Sequence, residues 1–245
     1  MSIFSIKKHF LLIFTLIFLS GCSYQNELIN DPADPQESRN RSIYTFNENL
    51  DEAILEPAAD GYDYITPNFL QKGFNNFFDN INYPVTIINQ ILQGNIGDSL
   101  QDTLRFTINS SIGLLGLFDP ASSMGLPEHD EDFGQTLAVW GIKEGPYLML
   151  PFFGPKTLRS LAGDLTDVLF NPLLNIDDTN LKMKANIINI LQDRSDLSTF
   201  EEELDNSFDP YQYIKDSYIQ NRYYKIYNGD IIEDEEEVDF DFDDF

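Results

Sequence analysis

The chain has 245 residues, of which 42% are hydrophobic, and a formal net charge of −26. Nucleic acids and anionic lipid head groups are bound through clusters of Lys and Arg, so this charge argues against both as charge-driven partners. Cys22 is the only cysteine, which excludes a disulfide bond within the chain.

The first 21 residues are typical of a secretory signal peptide. Lys7 and Lys8 give the start a positive charge, and an apolar run follows from Phe10 to Leu19. That run is too short to cross a bilayer comfortably and suits the hydrophobic part of a leader. We therefore predict a signal peptide over residues 1–21.

The leader ends in Leu19-Ser20-Gly21-Cys22, which resembles a bacterial lipobox. In that pattern a peptidase cuts before the cysteine, and the thiol becomes a lipid-bearing thioether. Buried acyl carbons stabilise membrane attachment by about 0.8 kcal/mol per CH₂, so Cys22 is predicted to anchor the protein through a lipidated linker over residues 22–34. Ser23, where inner-membrane lipoproteins often carry Asp, resembles the pattern for the outer membrane. An ordinary signal peptide with a chance cysteine is the alternative.

Acidic residues are concentrated at the C-terminus. Removal of residues 1–21 leaves 13 basic and 41 acidic side chains, a charge of −28. Residues 230–245 hold ten acids and no base. Because such a run repels itself, a disordered acidic tail is predicted, with a dedicated basic partner as the alternative.

Residues 35–229 are long enough for one domain with a core, and their signals are mostly helical. The first helix is predicted to begin at Asp34-Pro35, with Glu37 completing a capping box. One apolar face of this helix is marked by Ile43, Phe46, Leu50 and Ile54.

Further helices are predicted along the same domain. They are a helix opened by Thr66-Pro67 and reaching Ile81, Pro84–Gln93 with Gly94 as a left-handed cap, Ile96–Ser110, Pro155–Val168, Leu181–Leu204, and a last helix from Asp209-Pro210 to Gly229. Tyr147–Leu150 is predicted as a short extended piece. The prediction is a mainly α-helical domain over residues 35–229.

The stretch Gly134–Pro155 is apolar yet irregular. It carries two charges, Lys143 and Glu144, and is broken by four glycines and three prolines. A bilayer-spanning helix needs about 20 apolar residues and does not accept so many breaks. The stretch therefore has the length to cross a membrane but not the shape of one crossing helix.

Catalytic motifs are scarce in the chain. His129 lies among carboxylates that could bind a divalent metal, but carboxylates adjacent in a loop are more often solvated. Ser110-Ser111 would need His129 as the base of a triad, and no G-x-S-x-G elbow or phosphate-binding loop is present. We therefore predict no enzyme, no metal and no cofactor. The abundant apolar residues suit either a core or a surface that holds something greasy.

Several long segments carry a close resemblance to the VacJ/MlaA family of outer-membrane lipoproteins. They are "DPQESRNRSIYTFNENLD" (34–51), "PAADGYDYITP" (57–67), "NNFFDNINYPVTIINQILQG" (75–94), "TLRFTINSSIGLLGLFDPAS" (103–122), "EDFGQTLAVWGIKEGPYLMLPFFGPKTLR" (131–159) and "DPYQYIKDSYIQNR" (209–222). The resemblance spans almost all of residues 34–222 and is weaker over 175–206 and in the acidic tail.

The resemblance implies a fold and a function. The fold would be a single helical ring-like domain within the outer membrane, with a hairpin-like loop near a central amphipathic channel. The protein would remove phospholipids that have strayed into the outer leaflet and pass them to a soluble periplasmic carrier, which maintains lipid asymmetry. Trimeric porins would be partners, and the lipid-anchored protein would face the periplasm. A structural or adhesive envelope lipoprotein without transport activity is the alternative.

The resemblance also implies site residues. The residues of the channel and hairpin loop would be Gly141, Gly145, Pro146, Tyr147, Leu148, Leu150 and Pro151. The residues of the first-helix motif would be Asn40, Ile43 and Phe46. In this interpretation Leu148, Leu150, Phe152 and Phe153 face acyl chains and Lys143 and Glu144 form a polar tip, because irregular apolar backbone is tolerated at membrane depth only inside protein or beside a wet cavity. A hairpin packed in the core of a small domain is the alternative.

Overall fold

The computed structural model describes residues 31–175 and 177–229. The predicted signal peptide, Cys22 and the predicted tail over 230–245 lie outside these residues. The chain divides into two units, Met1–Pro32 and Ala33–Phe245, and the fold below is that of the second unit.

The second unit is mainly α-helical, as predicted. Its helices are α1 (Glu37–Leu50), α2 (Glu56–Ile65), α3 (Asn68–Gln93), α4 (Ile96–Ser111), α5 (Pro120–Ser123), α6 (Phe133–Val139), α7 (Leu158–Asp167), α8 (Thr179–Leu197), α9 (Glu201–Asp205) and α10 (Pro210–Ile226). A π-helical turn, Asp51–Leu55, joins α1 to α2, and 3-10 turns lie at Pro172–Asn175 and Ser198–Phe200. Strands β1 (Tyr147–Leu150) and β2 (Gly154–Thr157) form an antiparallel pair.

The start of α1 differs from the prediction. The helix begins at Glu37, its N-cap is Gln36, and no side chain caps it, so the capping box predicted from Asp34 and Glu37 is wrong. Asp34 is buried, and its carboxylate accepts hydrogen bonds from Asn40 and Tyr211 instead. Asp34 therefore makes hydrogen bonds within the core instead of capping α1.

Helix α3 is one continuous helix where two were predicted. It runs through Pro84, although a proline inside a helix removes one backbone hydrogen bond and costs about 3 kcal/mol. The residues around it, Tyr83, Val85 and Thr86, are all buried, and α3 makes its largest contact with α4. That packing outweighs the cost of the proline. Gly94 ends the helix with a φ of +87°, as predicted.

Other helix boundaries in the structure also differ from the predicted ones. The helix predicted over Pro155–Val168 contains β2 and then α7, which Thr157 and Ser160 open with a capping box. The helix predicted over Leu181–Leu204 is broken into α8, a 3-10 turn and α9. Helices α2, α5 and α6 were not predicted.

Helix α4 places polar side chains inside and apolar side chains outside. Its buried residues are Ser99, Asp102, Arg105 and Asn109. Its exposed large hydrophobic residues are Ile96, Leu100 and Leu104. A helix of a water-soluble domain has the opposite arrangement, so the outward face of α4 is suited to an apolar environment. No helix within residues 31–175 or 177–229 is both long and apolar enough to cross a bilayer.

Candidate functional site

The hairpin of residues 147–157 has an apolar tip. Tyr147 lies opposite Thr157 and Leu150 opposite Gly154, so the turn consists of Pro151, Phe152 and Phe153. Phe152 and Phe153 are 70% and 75% exposed. Phe152 also has a positive φ of +68°, a conformation that is uncommon for an aromatic residue.

The predicted polar tip is wrong. Lys143 and Glu144 precede β1 and are not in its turn. The carbonyl of Glu144 accepts a hydrogen bond from the backbone N–H of Arg159 at 3.0 Å, which holds this segment against the start of α7. Because β1 ends at Leu150 and β2 begins at Gly154, the turn of the hairpin contains the two phenylalanines and not the charged pair.

One face of the hairpin is anchored in the protein core. Tyr147 and Met149 are buried and form a cluster with Tyr211 of α10. The partly buried residues around this cluster are Ile43, Tyr44, Ile214, Tyr218 and Ile219. Leu148 and Leu150 alternate with the buried pair and are half-buried, as expected for a strand with one face inside.

Asn40 of α1 is bonded to the backbone of β1. Its side-chain nitrogen donates to the carbonyl of Tyr147 at 3.2 Å, and its side-chain oxygen accepts from the N–H of Met149 at 3.1 Å. The side chain is 2% exposed. The amide of Asn40 thus pairs with both groups that a neighbouring strand would use.

Asn47 repeats this arrangement two helical turns later. Its nitrogen donates to the carbonyl of Leu150 at 2.9 Å, and its oxygen accepts from the N–H of Phe152 at 2.9 Å. The asparagine pair, Asn40 and Asn47, therefore closes the open edge of β1 from α1. The first-helix motif and the hairpin, which the sequence treats as separate features, are in contact.

The two apolar residues of the first-helix motif differ in environment. Ile43 packs against the core cluster below the hairpin. Phe46 is 47% exposed and lies edge-to-face with Phe152, with ring centroids 5.5 Å apart. Phe46 therefore lies against the hairpin tip rather than in the core.

Helices α6 and α7 precede and follow the hairpin in the chain, and the start of α6 is fixed to α10. Asp132 caps α6 by accepting from the N–H of Gln135 at 2.8 Å, and its carboxylate pairs with the guanidinium of Arg222 on α10. Burial opposes ionisation of Asp132, but the hydrogen bonds from Arg222 outweigh it and hold the pKa of that carboxyl below its ordinary value. This ion pair ties the start of α6 to the helix that also carries Tyr211.

His129 pairs with a buried carboxylate. Its Nδ1 lies 2.9 Å from Oδ1 of Asp102, a residue with no exposed surface, and burial raises the pKa of Asp102. The serines considered for catalysis make other bonds: Ser110 accepts from Asn80, and Ser111 donates to the carbonyl of Thr107. Within the described residues, no three His, Cys, Asp or Glu side chains converge as metal ligands would.

The hairpin contacts α1 near the start of the domain and α10 near its end. The family model for the MlaA lipoprotein matches residues 32–225, which include all three segments. The chain belongs to the MlaA lipoprotein family. The match includes α1 with its asparagine pair, the hairpin and nearly all of α10.

Relatives of known name support the assignment to the MlaA family. The intermembrane phospholipid transport system lipoprotein MlaA of Escherichia coli K12 is 32% identical over 216 residues, 86% of this chain and 85% of that protein. An uncharacterised protein of Rickettsia conorii is 36% identical over 198 residues, 80% of this chain and 78% of that one. A chain solved for the structural basis for maintenance of bacterial outer membrane lipid asymmetry has a TM-score of 0.71 at 31% identity, covering 79% of this chain and 98% of that chain.

Gly141 and Gly145 lie in the segment that leads into the hairpin, and both have left-handed backbone conformations, with φ of +84° and +74°. Gly141→Val should cost about 1–3 kcal/mol of backbone strain. Gly145→Val should cost more, because a Cβ there would lie 3.0 Å from Cβ of Leu158. Thermal unfolding of the purified variants tests this order, with helical Gly61→Ala as the control, since no atom lies within 4 Å of its added Cβ. Equal midpoints for Gly141→Val and wild type would contradict the strain.

Glu131, just before α6, is a buried carboxyl whose ionisation opposes folding. It is 4% exposed and accepts one hydrogen bond from Gln93 at 2.7 Å. Burial raises the pKa of Glu131 from an ordinary 4.5 to about 7, while the bond from Gln93 and the charge of His129 lower it and the charges of Asp130 and Asp132 raise it.

The raised pKa predicts how stability depends on pH. Below about pH 4.5 Glu131 is protonated whether the chain is folded or unfolded. As the pH rises towards 7 the unfolded chain releases this proton first, so the folded state loses up to about 3 kcal/mol. Glu131→Gln should therefore raise the thermal midpoint at pH 8 and leave it nearly unchanged at pH 4.5, with exposed Glu52→Gln as the control. An equal gain at both pH values would contradict the assignment.

Proposed function

We propose that this protein removes mislocalised phospholipids from the outer leaflet of the outer membrane and passes them to a soluble periplasmic carrier. The observation that carries the proposal is the inverted amphipathicity of α4, with buried polar residues and exposed leucines. Family membership and the likeness to MlaA of Escherichia coli support the same function.

The inverted pattern extends beyond α4. Buried polar residues on the neighbouring helix α3 include Asn80, Thr86, Asn89 and Gln90. Exposed large hydrophobic residues occur throughout, for example Phe69, Ile91, Leu115, Phe153 and Leu165. Exposed apolar surface on this scale marks a membrane or protein interface. Immersion in lipid removes the free-energy cost of exposing these apolar side chains to water. The polar side chains between the helices offer a route for lipid head groups.

The hairpin is proposed to lie beside this route. Its apolar tip is suited to acyl chains, and its backbone conformation depends on Gly145, Phe152 and Gly154 at positive φ. The asparagine pair fixes one edge of the hairpin to α1, so a change in α1 would reach the tip directly. No step requires a catalytic group or a cofactor, because movement between membranes breaks no covalent bond.

Partners and location follow from the same proposal. Phospholipids are the cargo, a trimeric porin covers part of the exposed apolar surface, and a soluble carrier receives the lipid on the periplasmic side. Lipid on Cys22 holds the protein in the outer membrane. The proposed domain order is a signal peptide over residues 1–21, a lipidated linker over 22–34, a helical domain over 35–229 and an acidic tail over 230–245.

A deletion strain tests the function. Cells without the protein should accumulate phospholipid in the outer leaflet and become sensitive to detergent, and the wild-type gene should reverse both effects. A strain with normal outer-leaflet phospholipid but weakened envelope integrity would instead support a structural or adhesive lipoprotein.

Cys22→Ser tests the anchor. Without the thiol the lipid cannot be attached and processing should fail, so the variant should be recovered as an unprocessed or mislocalised protein. Membrane fractionation with metabolic lipid labelling measures this. Normal recovery of an unlabelled variant in the outer membrane would rule out lipid anchoring at Cys22.

A further inference from the structure

A short run of charged residues, 128–132, connects four helices. It lies between α5 and α6, and its backbone is neither helical nor part of a sheet. Within the part of the chain that the structure describes, the backbone of residues 127–131 makes one hydrogen bond, in which the side chain of Gln135 donates to the carbonyl of Asp130 at 2.9 Å. Side chains therefore hold this run, which we call the clasp, against the rest of the fold.

Each side chain of the clasp contacts a neighbouring helix. The pairs are Glu128 with Arg105 and His129 with Asp102 on α4, Asp130 with Lys225 and Asp132 with Arg222 on α10, and Glu131 with Gln93 on α3. Asp132 also caps α6. The clasp thus joins α3, α4, α6 and α10, and four of its five contacts are ion pairs or become one when the histidine is protonated.

Glu131 is the buried member of the clasp. It is 4% exposed, and the neutral amide of Gln93 donates to it at 2.7 Å. Both cations that α10 brings to the clasp bond to the residues on either side of it, Asp130 and Asp132. An ionised Glu131 is therefore a buried charge between two other carboxylates, and burial of a charge without a paired cation costs free energy.

The charges around the clasp do not neutralise Glu131. The charged groups that face the clasp or its partners from neighbouring helices are Asp79 on α3, Asp98, Asp102 and Arg105 on α4, Asp167 on α7, and Arg222 and Lys225 on α10. Each of these cations forms an ion pair with another carboxylate, and in the described part of the chain none pairs with Glu131. Burial, together with the charges of Asp130 and Asp132, raises the pKa of Glu131 to about 7 and outweighs the opposing effects of Gln93 and His129.

Movement of Glu131 is coupled to two helices through the next residue. An ionised Glu131 is more stable in water than in the core. Asp132 follows it directly, accepts from the N–H of Gln135 at the start of α6, and pairs with Arg222 on α10. Glu131 therefore cannot turn out into water without displacing the start of α6 and the C-terminal half of α10. Few backbone hydrogen bonds oppose this movement, because side chains hold the clasp.

We infer that the clasp is a pH-sensitive switch: it is closed while Glu131 is protonated, and ionisation of Glu131 releases the start of α6 from α3 and loosens the C-terminal half of α10. Protonation of His129 acts in the same direction, because it turns the contact with Asp102 into an ion pair. The closed clasp is favoured in mild acid and the open clasp in mild base. The switch is a property of the fold and does not depend on which cargo the protein moves.

The size of the effect follows from one titration. In the open clasp Glu131 is in water and has its ordinary pKa of 4.5, whereas in the closed clasp its pKa is about 7. Below about pH 4.5 both forms hold the proton, so pH does not favour either. As the pH rises the open clasp releases the proton first, and the ratio of open to closed clasp should increase about tenfold between about pH 6 and pH 8.

Amide hydrogen exchange of the full-length lipoprotein in detergent tests the switch. Exchange is measured by mass spectrometry at about pH 6 and pH 8, and each rate is divided by that of an unstructured peptide at the same pH. In wild type the protection of residues 133–139 and 218–226 should fall about tenfold at the higher pH, because local opening exposes their N–H groups. Residues 38–46 of α1 should keep their protection and serve as the internal control.

Two variants assign the effect to one side chain. Glu131→Gln should remove the dependence on pH, because an amide does not titrate in this range, and Glu52→Gln, an exposed acid elsewhere, should leave it unchanged. Equal protection at both pH values in wild type would overturn the switch without any variant. A tenfold fall that persists in Glu131→Gln, or a fall that includes α1, would overturn it as well. Outer-leaflet phospholipid in the deletion strain judges the proposed function separately.

Discussion

Asn40→Ala is expected to lower the free energy of unfolding by roughly 3–5 kcal/mol. The change removes both hydrogen bonds between α1 and the middle of β1, and it leaves the carbonyl of Tyr147 and the N–H of Met149 buried without those partners. It also removes one donor from the buried carboxylate of Asp34. Each buried polar group that loses its partner costs about 1–3 kcal/mol.

Asn49→Ala is the matched control for Asn40→Ala. It lies on the same helix, is exposed, and donates only to the carbonyl of Thr45 one turn earlier. Thermal unfolding of both variants in the same detergent should show a large drop in midpoint for Asn40→Ala and little change for the control. Similar midpoints for the two variants would show that the asparagine does not hold the hairpin.

The sequence indicated the type of most elements because their signals are local. The dipeptide Asp-Pro opens the predicted helix at Asp209, and it also opens α5 at Asp119, a helix that was not predicted; in both places the carboxylate accepts from a backbone N–H in the first turn. The same dipeptide fails at Asp34, because the carboxylate is occupied by Asn40 and Tyr211. The signal is identical in the three places, and only the distant partners differ.

The hairpin shows the same limit. Its first strand was predicted correctly at Tyr147–Leu150, because apolar and β-forming residues lie between prolines. Its tip was predicted at the charged residues Lys143 and Glu144, because charge usually marks the exposed end of a loop. The register of β1 against β2 decides the tip, and register depends on packing that a single sequence does not state.

Asn47 was missed because nothing near it in sequence requires an asparagine. Its partners, Leu150 and Phe152, are more than a hundred positions away. The one available signal is its spacing of seven residues from Asn40, which places both side chains on one face of α1. Solvent exposure alone does not explain two asparagines on the face of α1 that also carries Ile43. Their spacing is therefore a signal that sequence reasoning could have used.

A close approach of two helices explains two further glycines. Gly134 of α6 and Gly163 of α7 face each other, and a Cβ on Gly163 would lie 2.3 Å from the nitrogen of Gly134 and 2.7 Å from its Cα. Both contacts are with backbone, so no side-chain rotation can relieve them. The contact between α6 and α7 is among the largest in the fold, and the hairpin lies between these helices in the chain.

Gly163→Ala is therefore expected to destabilise the protein by about 3 kcal/mol, the upper end of the cost of overpacking, or to prevent its accumulation. Separation of α6 from α7 would also strain the ion pair of Asp132 with Arg222 and displace both ends of the hairpin. Gly97→Ala on α4 is the control, because open space surrounds its added Cβ and alanine favours a helix by up to about 1 kcal/mol. Protein abundance and the thermal midpoint measure both variants. A midpoint for Gly163→Ala at or above that of wild type would mean that the two helices can move apart freely, and that the position of the hairpin does not depend on their contact.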